Sequence, residues 1–269
     1  MQAYTSMEPW NLDPTIYPVP WREEIDEQVQ SKVKLKIGYI VDDGVVMPHP
    51  PIQRAVRDVV QKLKDCGHEV VEWDASSHKD AYYDLWLKAV LADGGKRFED
   101  LCKMVDQPLI QGMLVGTSET WLDNAQRMEL SDRIWEYKRE YLAKWKGSGI
   151  DALIMPVTPW VGMRPQVWVK SQQYCGYTAM WNLVDYSVLT MPVGSVDKAL
   201  DDPNKDPEWK AYAQQTRGYT DEFNYNMYKE LWDAGIVQGL PVNLQIVTGR
   251  FGEEKAVGVA KVFQKLGIV

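Results

Sequence analysis

The sequence predicts an α/β fold with one core over residues 1–269, and three observations carry that expectation. Leu35, Ile37, Tyr39 and Val41 fall at every second position, as in a half-buried strand. A helical pattern and a second strand-like run follow, and the three together occupy roughly 40 residues, the size of a βαβ unit. Further short apolar runs recur towards the carboxy terminus, with no internal repeat and no linker-like tract to divide them.

The elements can be justified in order. Pro9, Pro14, Pro18 and Pro20 each disfavour helix at the residue before them, so residues 1–30 read as an extended amino-terminal arm. Asp42, Asp43 and Gly44 end the first strand. Pro50 and Pro51 suit the first turn of a helix. Ile52, Ala55, Val56, Val59, Val60 and Leu63 line its apolar face, and Gly67 suits its end. His68 to Trp73 reads as the second strand. One long helical stretch runs from about residue 79 to 104, weakened at Gly94 and Gly95. Another runs from about 120 to 145, with Thr120 and Asp123 as a capping pair and Gly147 to Gly149 as its terminator. Asp151 to Pro156 and Val188 to Val193 read as strands, separated by a helix within 172–186. Residues 197–235 are polar and carry Pro203 and Pro207, which predicts a long excursion. Val242, Leu244 and Ile246 supply a last strand, and Ala256, Val259, Ala260, Phe263 and Leu266 a last helix.

Composition then narrows function. Hydrophobic residues at 45% and charged residues at 25% suit a soluble globular chain rather than a disordered one. The net charge of −8 without a basic run argues against nucleic acid, which needs clustered Lys and Arg. No apolar stretch is long enough to span a membrane, and residues 1–10 show no secretory signal, so a cytoplasmic location is expected. Cys66, Cys102 and Cys175 are odd in number and scattered, which indicates neither a disulfide framework nor a zinc site. Twelve tryptophans against four phenylalanines point to pockets or covered interfaces, since indole rings are large and amphipathic.

The familiar reaction motifs are absent. There is no Walker loop, no GxGxxG, no HExxH and no GxSxG. Gly147-Ser148-Gly149 precedes a strand, so it lacks the helix N-terminus that holds a phosphate. Asp201 to Glu208 is spoiled as a calcium loop by two prolines and no central glycine. His49, His68 and His78 have no partner at metal-ligand spacing, so neither a metal nor a cofactor is expected. Cys175 would need a spatial neighbour as base to serve as a nucleophile, and otherwise reads as a small buried hydrophobe. Asp185 is the carboxylate that stands among aromatics, near Trp181, Asn182 and Tyr186, and a carboxylate in such company needs hydrogen-bond partners.

Three stretches, Asp151 to Pro159, Gly176 to Gly194 and Gly239 to Phe251, together resemble a family. In this order they look like the carboxy-terminal half of amidase signature enzymes, of the fungal acetamidase or general amidase branch. Glu8 to Arg22 is similar to the segment that follows the signature region in that branch. The resemblance implies a mixed β-sheet flanked by helices and, for the family, hydrolysis of a small amide. In the family a serine attacks the carbonyl, a second serine preceded by a cis peptide relays the proton to a lysine, and a glycine-rich loop stabilises the oxyanion. The Gly/Ser-rich signature with these residues is not found in residues 1–269, so no catalytic residue carries over. What transfers is a wall of the acyl pocket, for which Tyr177, Trp181, Asn182, Asp185, Trp160 and Cys175 are the candidates.

Three functional readings follow. The chain is a pseudoenzyme that acts by self-association or by binding a partner that covers the missing half. Alternatively, it is an enzyme that reuses the aromatic pocket for different chemistry on a small molecule. In the third reading it is a fragment of an active amidase of the fungal type. A homo-oligomer or a partner-covered surface is expected, because tryptophan-rich faces of that size rarely stay bare.

Overall fold

Five consecutive residues, Ala152–Pro156, are buried on both sides and form strand β3 of the fold. The computed structural model describes residues 1–110 and 112–269. The other strands among these residues are β1 (Lys36–Tyr39), β2 (Glu69–Glu72), β4 (Val188–Ser195) and β5 (Pro241–Val247). Their order in the sheet is β2-β1-β3-β5-β4. β1 is parallel to β2 and β3, whereas β5 is antiparallel to both β3 and β4. The sheet is therefore mixed and flanked by helices, as expected.

Alternation along β3 assigns its side chains to two cores. Ala152 and Ile154 meet Ile37, Leu244, Ile246 and Met191 on one face. That face is covered by the helices Pro50–Asp65, through Val56, Val59, Val60 and Leu63, and Glu253–Lys265, through Val259 and Phe263. Leu153 and Met155 face the other way, towards the helices Gly176–Val184 and Asn124–Ser148. There Tyr177, Trp181, Tyr141 and Trp145 form an aromatic layer, and Trp181 is only 1% exposed.

Several elements depart from the sequence reading. Residues 1–30 hold more helix than an extended arm would, with a turn at Gln2–Thr5 and a helix at Glu23–Ser31. Prolines stop at residue 20, and Ile25 and Val29 then repeat at helical spacing, so nothing prevents the last third from coiling. Gly258 lets this helix lie close on Glu253–Lys265, because a Cβ there would come within 2.9 Å of the Val29 Cβ. The helix starting at Asn124 is capped by Asp123 and Gln126, each bonding the other's backbone N–H, rather than by Thr120 and Asp123. Residues 197–235 do not form a purely irregular excursion. They contain the helices Pro207–Tyr212 and Tyr219–Asp233, with Trp209, Met227, Tyr228 and Leu231 buried in a third core. Pro207 sits in the first turn of its helix, where it starts the helix instead of breaking it.

The tryptophans also fall differently from expectation. Trp73, Trp145, Trp181 and Trp209 are core residues. Trp121 and Trp135 are exposed, and each lies under a cation, Arg127 at 5.1 Å and Lys138 at 5.2 Å. Trp10 and Trp21 are half-buried and line an apolar groove with Tyr4, Tyr17 and Phe251.

Arg22 ties the arm to the carboxy-terminal helix. Its backbone N–H donates to Glu254 at 2.9 Å and its guanidinium to the same carboxylate at 2.7 Å, with Glu254 nearly fully buried. Arg22→Ala strands that carboxylate, and the expected loss is about 2 kcal/mol, the usual range for a charge-assisted hydrogen bond. Urea unfolding of the variant against an exposed control, Leu12→Ala, checks this, and equal stability of the two would contradict it.

Candidate functional site

A π-helical turn supplies the first wall of the site. Ala81–Trp86 coils with an i+5 pattern, a geometry that recurs at functional sites. It stacks Tyr82 on Trp86 at 5.5 Å and sets Tyr82 edge-on to Tyr174 at 4.9 Å. Tyr82, Tyr83 and Leu87, with Met113, Leu114, Val169, Gln172, Gln173, Tyr174 and Thr220, enclose a cavity of about 450 Å³.

Behind Tyr174 lies a buried polar knot. The Tyr174 hydroxyl donates to Asp43 Oδ2, and Oδ1 accepts from the N–H groups of Val45 at 2.9 Å and Val46 at 3.1 Å. The Tyr177 hydroxyl donates to the Val46 carbonyl at 2.8 Å and accepts from the Asp43 N–H at 3.2 Å. Next to it Asp42 takes the Arg217 guanidinium in a fork, at 2.6 and 2.8 Å. Burial pushes the Asp43 carboxyl up to about 6, although Tyr174 and the two N–H groups pull it down. Burial and the nearby Asp43 push the Tyr174 hydroxyl far up, so it remains a donor.

Of the six residues expected in one pocket, Tyr177 and Trp181 share one aromatic core with Cys175 and Trp160 packed against it, whereas Asn182 and Asp185 are exposed. Tyr177 and Trp181 are fully buried in the aromatic layer, and the Trp181 indole N–H has no partner. Cys175 is half-buried at 3.9 Å from the Tyr82 hydroxyl, and burial raises its thiol, which opposes a thiolate nucleophile. Asn182 is exposed on the outer side of its helix. Asp185 is not the buried carboxylate. It caps the helix Gly176–Val184 at φ 62°, is exposed, and pairs with Arg250 at 2.7 Å. Trp160 lines a second cavity, of about 290 Å³, with Thr158, Thr190 and Asn243.

Sequence reasoning missed Asp43, which it assigned to ending a strand, and Tyr82, Tyr83, Tyr174 and Arg217. A usable signal existed for Asp43. It stands between two apolar runs, Tyr39 to Val41 and Val45 to Met47, where a carboxylate that only ended a strand would gain nothing from its apolar neighbours.

Histidine offers no base here. His49 is fully buried and depressed by burial to about 3, with its ring bonded to Asn224 O at 3.2 Å and Val161 N at 3.3 Å. It holds the loop that carries Trp160. His78 is depressed by burial to about 4 and bonds the Tyr141 hydroxyl at 3.0 Å. Among the described residues no cluster of three His, Cys, Asp or Glu side chains could hold a metal, and no lysine amine hydrogen-bonds a serine hydroxyl. The geometry suits enclosure of an apolar or aromatic group with hydrogen bonds at one rim, and it lacks a nucleophile paired with a base.

The raised Asp43 carboxyl carries a definite pH signature. Folded, it keeps its proton up to about pH 6, whereas unfolded it releases it near the ordinary value of 3.8. The native state thus binds more protons between these limits, so this contribution is full below about pH 4 and is lost as pH rises through 6. The shift corresponds to roughly 2–3 kcal/mol. Urea unfolding of wild type and Asp43→Asn between pH 4 and 7 should show their difference change by that amount, and a constant difference would remove the assignment.

With the fold and cavities described, comparison with known proteins becomes informative. The family model described as Amidase matches residues 1–257. The acetamidase of Emericella nidulans is 31% identical over 98% of this chain and 47% of its own length. Amidase 1 of Gibberella moniliformis is 31% identical over 98% of this chain and 49% of its own. A solved fatty acid amide hydrolase superposes with a TM-score of 0.86 at 26% identity, covering 100% of this chain and 45% of that one. The chain spans about half the length of the curated relatives it matches. Among the described residues no helix is long and apolar enough to cross a membrane. With the family model covering nearly the whole chain and the mixed sheet superposing on a solved relative, this protein belongs to the amidase family.

Proposed function

We propose that this chain is an amidase-family protein without amide hydrolase activity of its own, which acts by association with another polypeptide. The observation that carries the reading is the chemistry of its cavities. They have aromatic walls and hydrogen-bonding rims, but among the described residues no lysine amine hydrogen-bonds a serine hydroxyl, burial raises the Cys175 thiol, and His49 and His78 are buried with their rings depressed. The half-length coverage of the relatives supports the same reading, since the signature serines and lysine implied by the family resemblance are not found in residues 1–269. The same coverage favours a second reading, in which these residues are the carboxy-terminal part of a longer active amidase. The mass of the protein in its native cells separates the two.

The test is direct. Purified chain is assayed with small aliphatic and aryl amides across pH 5 to 9. Turnover is expected to stay at the buffer rate, and a fluorophosphonate should leave no covalent adduct on any serine. Hydrolysis that such a reagent abolishes would overturn the reading.

A further inference from the structure

Trp10 and Trp21 stand apart from the other tryptophans. Each of the others packs against an aromatic ring or lies under a cation. Among the described residues, Trp10 and Trp21 have neither. Both line the same groove, of about 300 Å³, which shares no residue with the two cavities described above. Indole holds a cation more strongly than the other aromatic rings, so the groove contains two such rings with that capacity unused.

The groove forms where the amino-terminal arm meets the helix Glu253–Lys265. Arg22 donates to the Phe251 carbonyl and to Glu254, which holds the arm across from the start of that helix. Tyr17 meets Phe251 edge-on at 5.6 Å. Phe251 itself is kept in the left-handed region at φ 52°, a strained setting for a residue with a Cβ and one that recurs at ligand clamps. The charges around these rings do not balance. Arg22 is matched by Glu254 at 2.7 Å, and Arg250, 5.3 Å over Phe251, is matched by Asp185 at 2.7 Å. Glu253 lines the same groove, half-buried, and among the described residues it pairs with no lysine or arginine. Its place in the first turn of the helix suits an anion. An unmatched carboxylate therefore stands beside five aromatic rings, those of Tyr4, Trp10, Tyr17, Trp21 and Phe251.

We propose that this groove binds a small organic cation with a methylated ammonium head, seated among Trp10, Tyr17, Trp21 and Phe251 with Glu253 as its counter-charge. The class of ligand follows from the chemistry of the walls. A neutral apolar group would gain from burial but leave Glu253 unmatched, and an anion would be repelled by it. A bare ammonium is strongly hydrated and would lose that water among the rings. A methylated ammonium spreads its charge over apolar methyl groups, so it meets both the aromatic rings and the carboxylate at small cost in hydration. Binding of this kind is independent of amide turnover. An uncharged apolar molecule is the competing occupant.

The test follows the indole N–H signals by NMR as choline chloride is added to the full chain. The signals of Trp10, Trp21 and Trp135 are assigned through Trp10→Leu, Trp21→Leu and Trp135→Leu. Those of Trp10 and Trp21 should shift and saturate together, while that of Trp135, which already lies under Lys138, stays in place. Dimethylbutanol, the uncharged carbon isostere of choline, should bind about tenfold more weakly to the same chain, and Glu253→Gln should weaken choline by about the same factor. Glu253→Gln keeps the size of the side chain, and its melting temperature is measured alongside. The comparison of choline with dimethylbutanol needs no variant, so it decides the matter even where a substitution perturbs folding. Equal affinity for the two molecules would mark the groove as merely apolar and overturn the proposal. So would signals of Trp10 and Trp21 that do not shift, or a folded Glu253→Gln that binds choline as tightly as wild type.

Discussion

Everything in this fold is arranged around a strand that touches no water. β3 has parallel β1 on one side and antiparallel β5 on the other, and its side chains enter two different cores. A strand buried on both faces requires a helical layer above and below it. The carboxylate just before it fixes where it starts. Asp151 accepts from the Lys36 N–H at 3.0 Å and pairs with Lys32, while its own N–H donates to the Lys36 carbonyl at 2.7 Å. This locks the β1–β3 register, and with it the placement of Ile37 and Leu153 on opposite faces. A slip of one residue would exchange the two cores.

From that centre the polar sites follow. β1 ends against the aromatic layer, so the turn after it must bury Asp43 and satisfy it locally. The chain does so with the Val45 and Val46 N–H groups, and with two tyrosine hydroxyls from the segment opposite. Two tyrosines and a protonatable carboxyl thereby join the β1 turn to the helix Gly176–Val184 and the cavity wall. Asp221 repeats the device farther on, accepting from the Met47 N–H at 2.8 Å and the Tyr212 hydroxyl at 2.5 Å. These bonds make the helices of residues 207–233 part of the same body as the sheet.

How much of this was legible in the sequence depended on whether the signal was periodic. Strands β1 and β5 and the helices Pro50–Asp65 and Glu253–Lys265 announce themselves because one face of each is apolar. The helices of residues 207–233 hide because their buried residues are Trp209, Tyr228 and Met227 among many acids and amides, and because Pro207 reads as a breaker until its first-turn position is known. The site was the least legible part. Asp185 and Asp43 both stand near aromatics in sequence, but only the three-dimensional path decides which one is enclosed. The left-handed cap at Asp185 turns its carboxylate out to Arg250, whereas the turn at Asp43 folds back beneath Tyr174. Family resemblance picked out the stretch from Tyr177 to Asp185 by position along the chain, and position alone does not say which side of a helix is buried.

The tryptophans give the last step. Twelve of them suggested a large aromatic surface in need of a cover, yet the aromatic layer is largely internal and the two exposed indoles each lie under a cation. Trp181 and Tyr177 are buried by this chain's own residues. Those two rings therefore need no cover from outside the chain. What stays open on β4 is a backbone edge with the side chains of Val188, Thr190 and Pro192, next to the cavity that Trp160 lines. The interior of the chain is closed but keeps some unpartnered polar atoms, the Trp181 and Trp209 indole N–H groups among them, while the hydrogen-bonding capacity of β4 is half used.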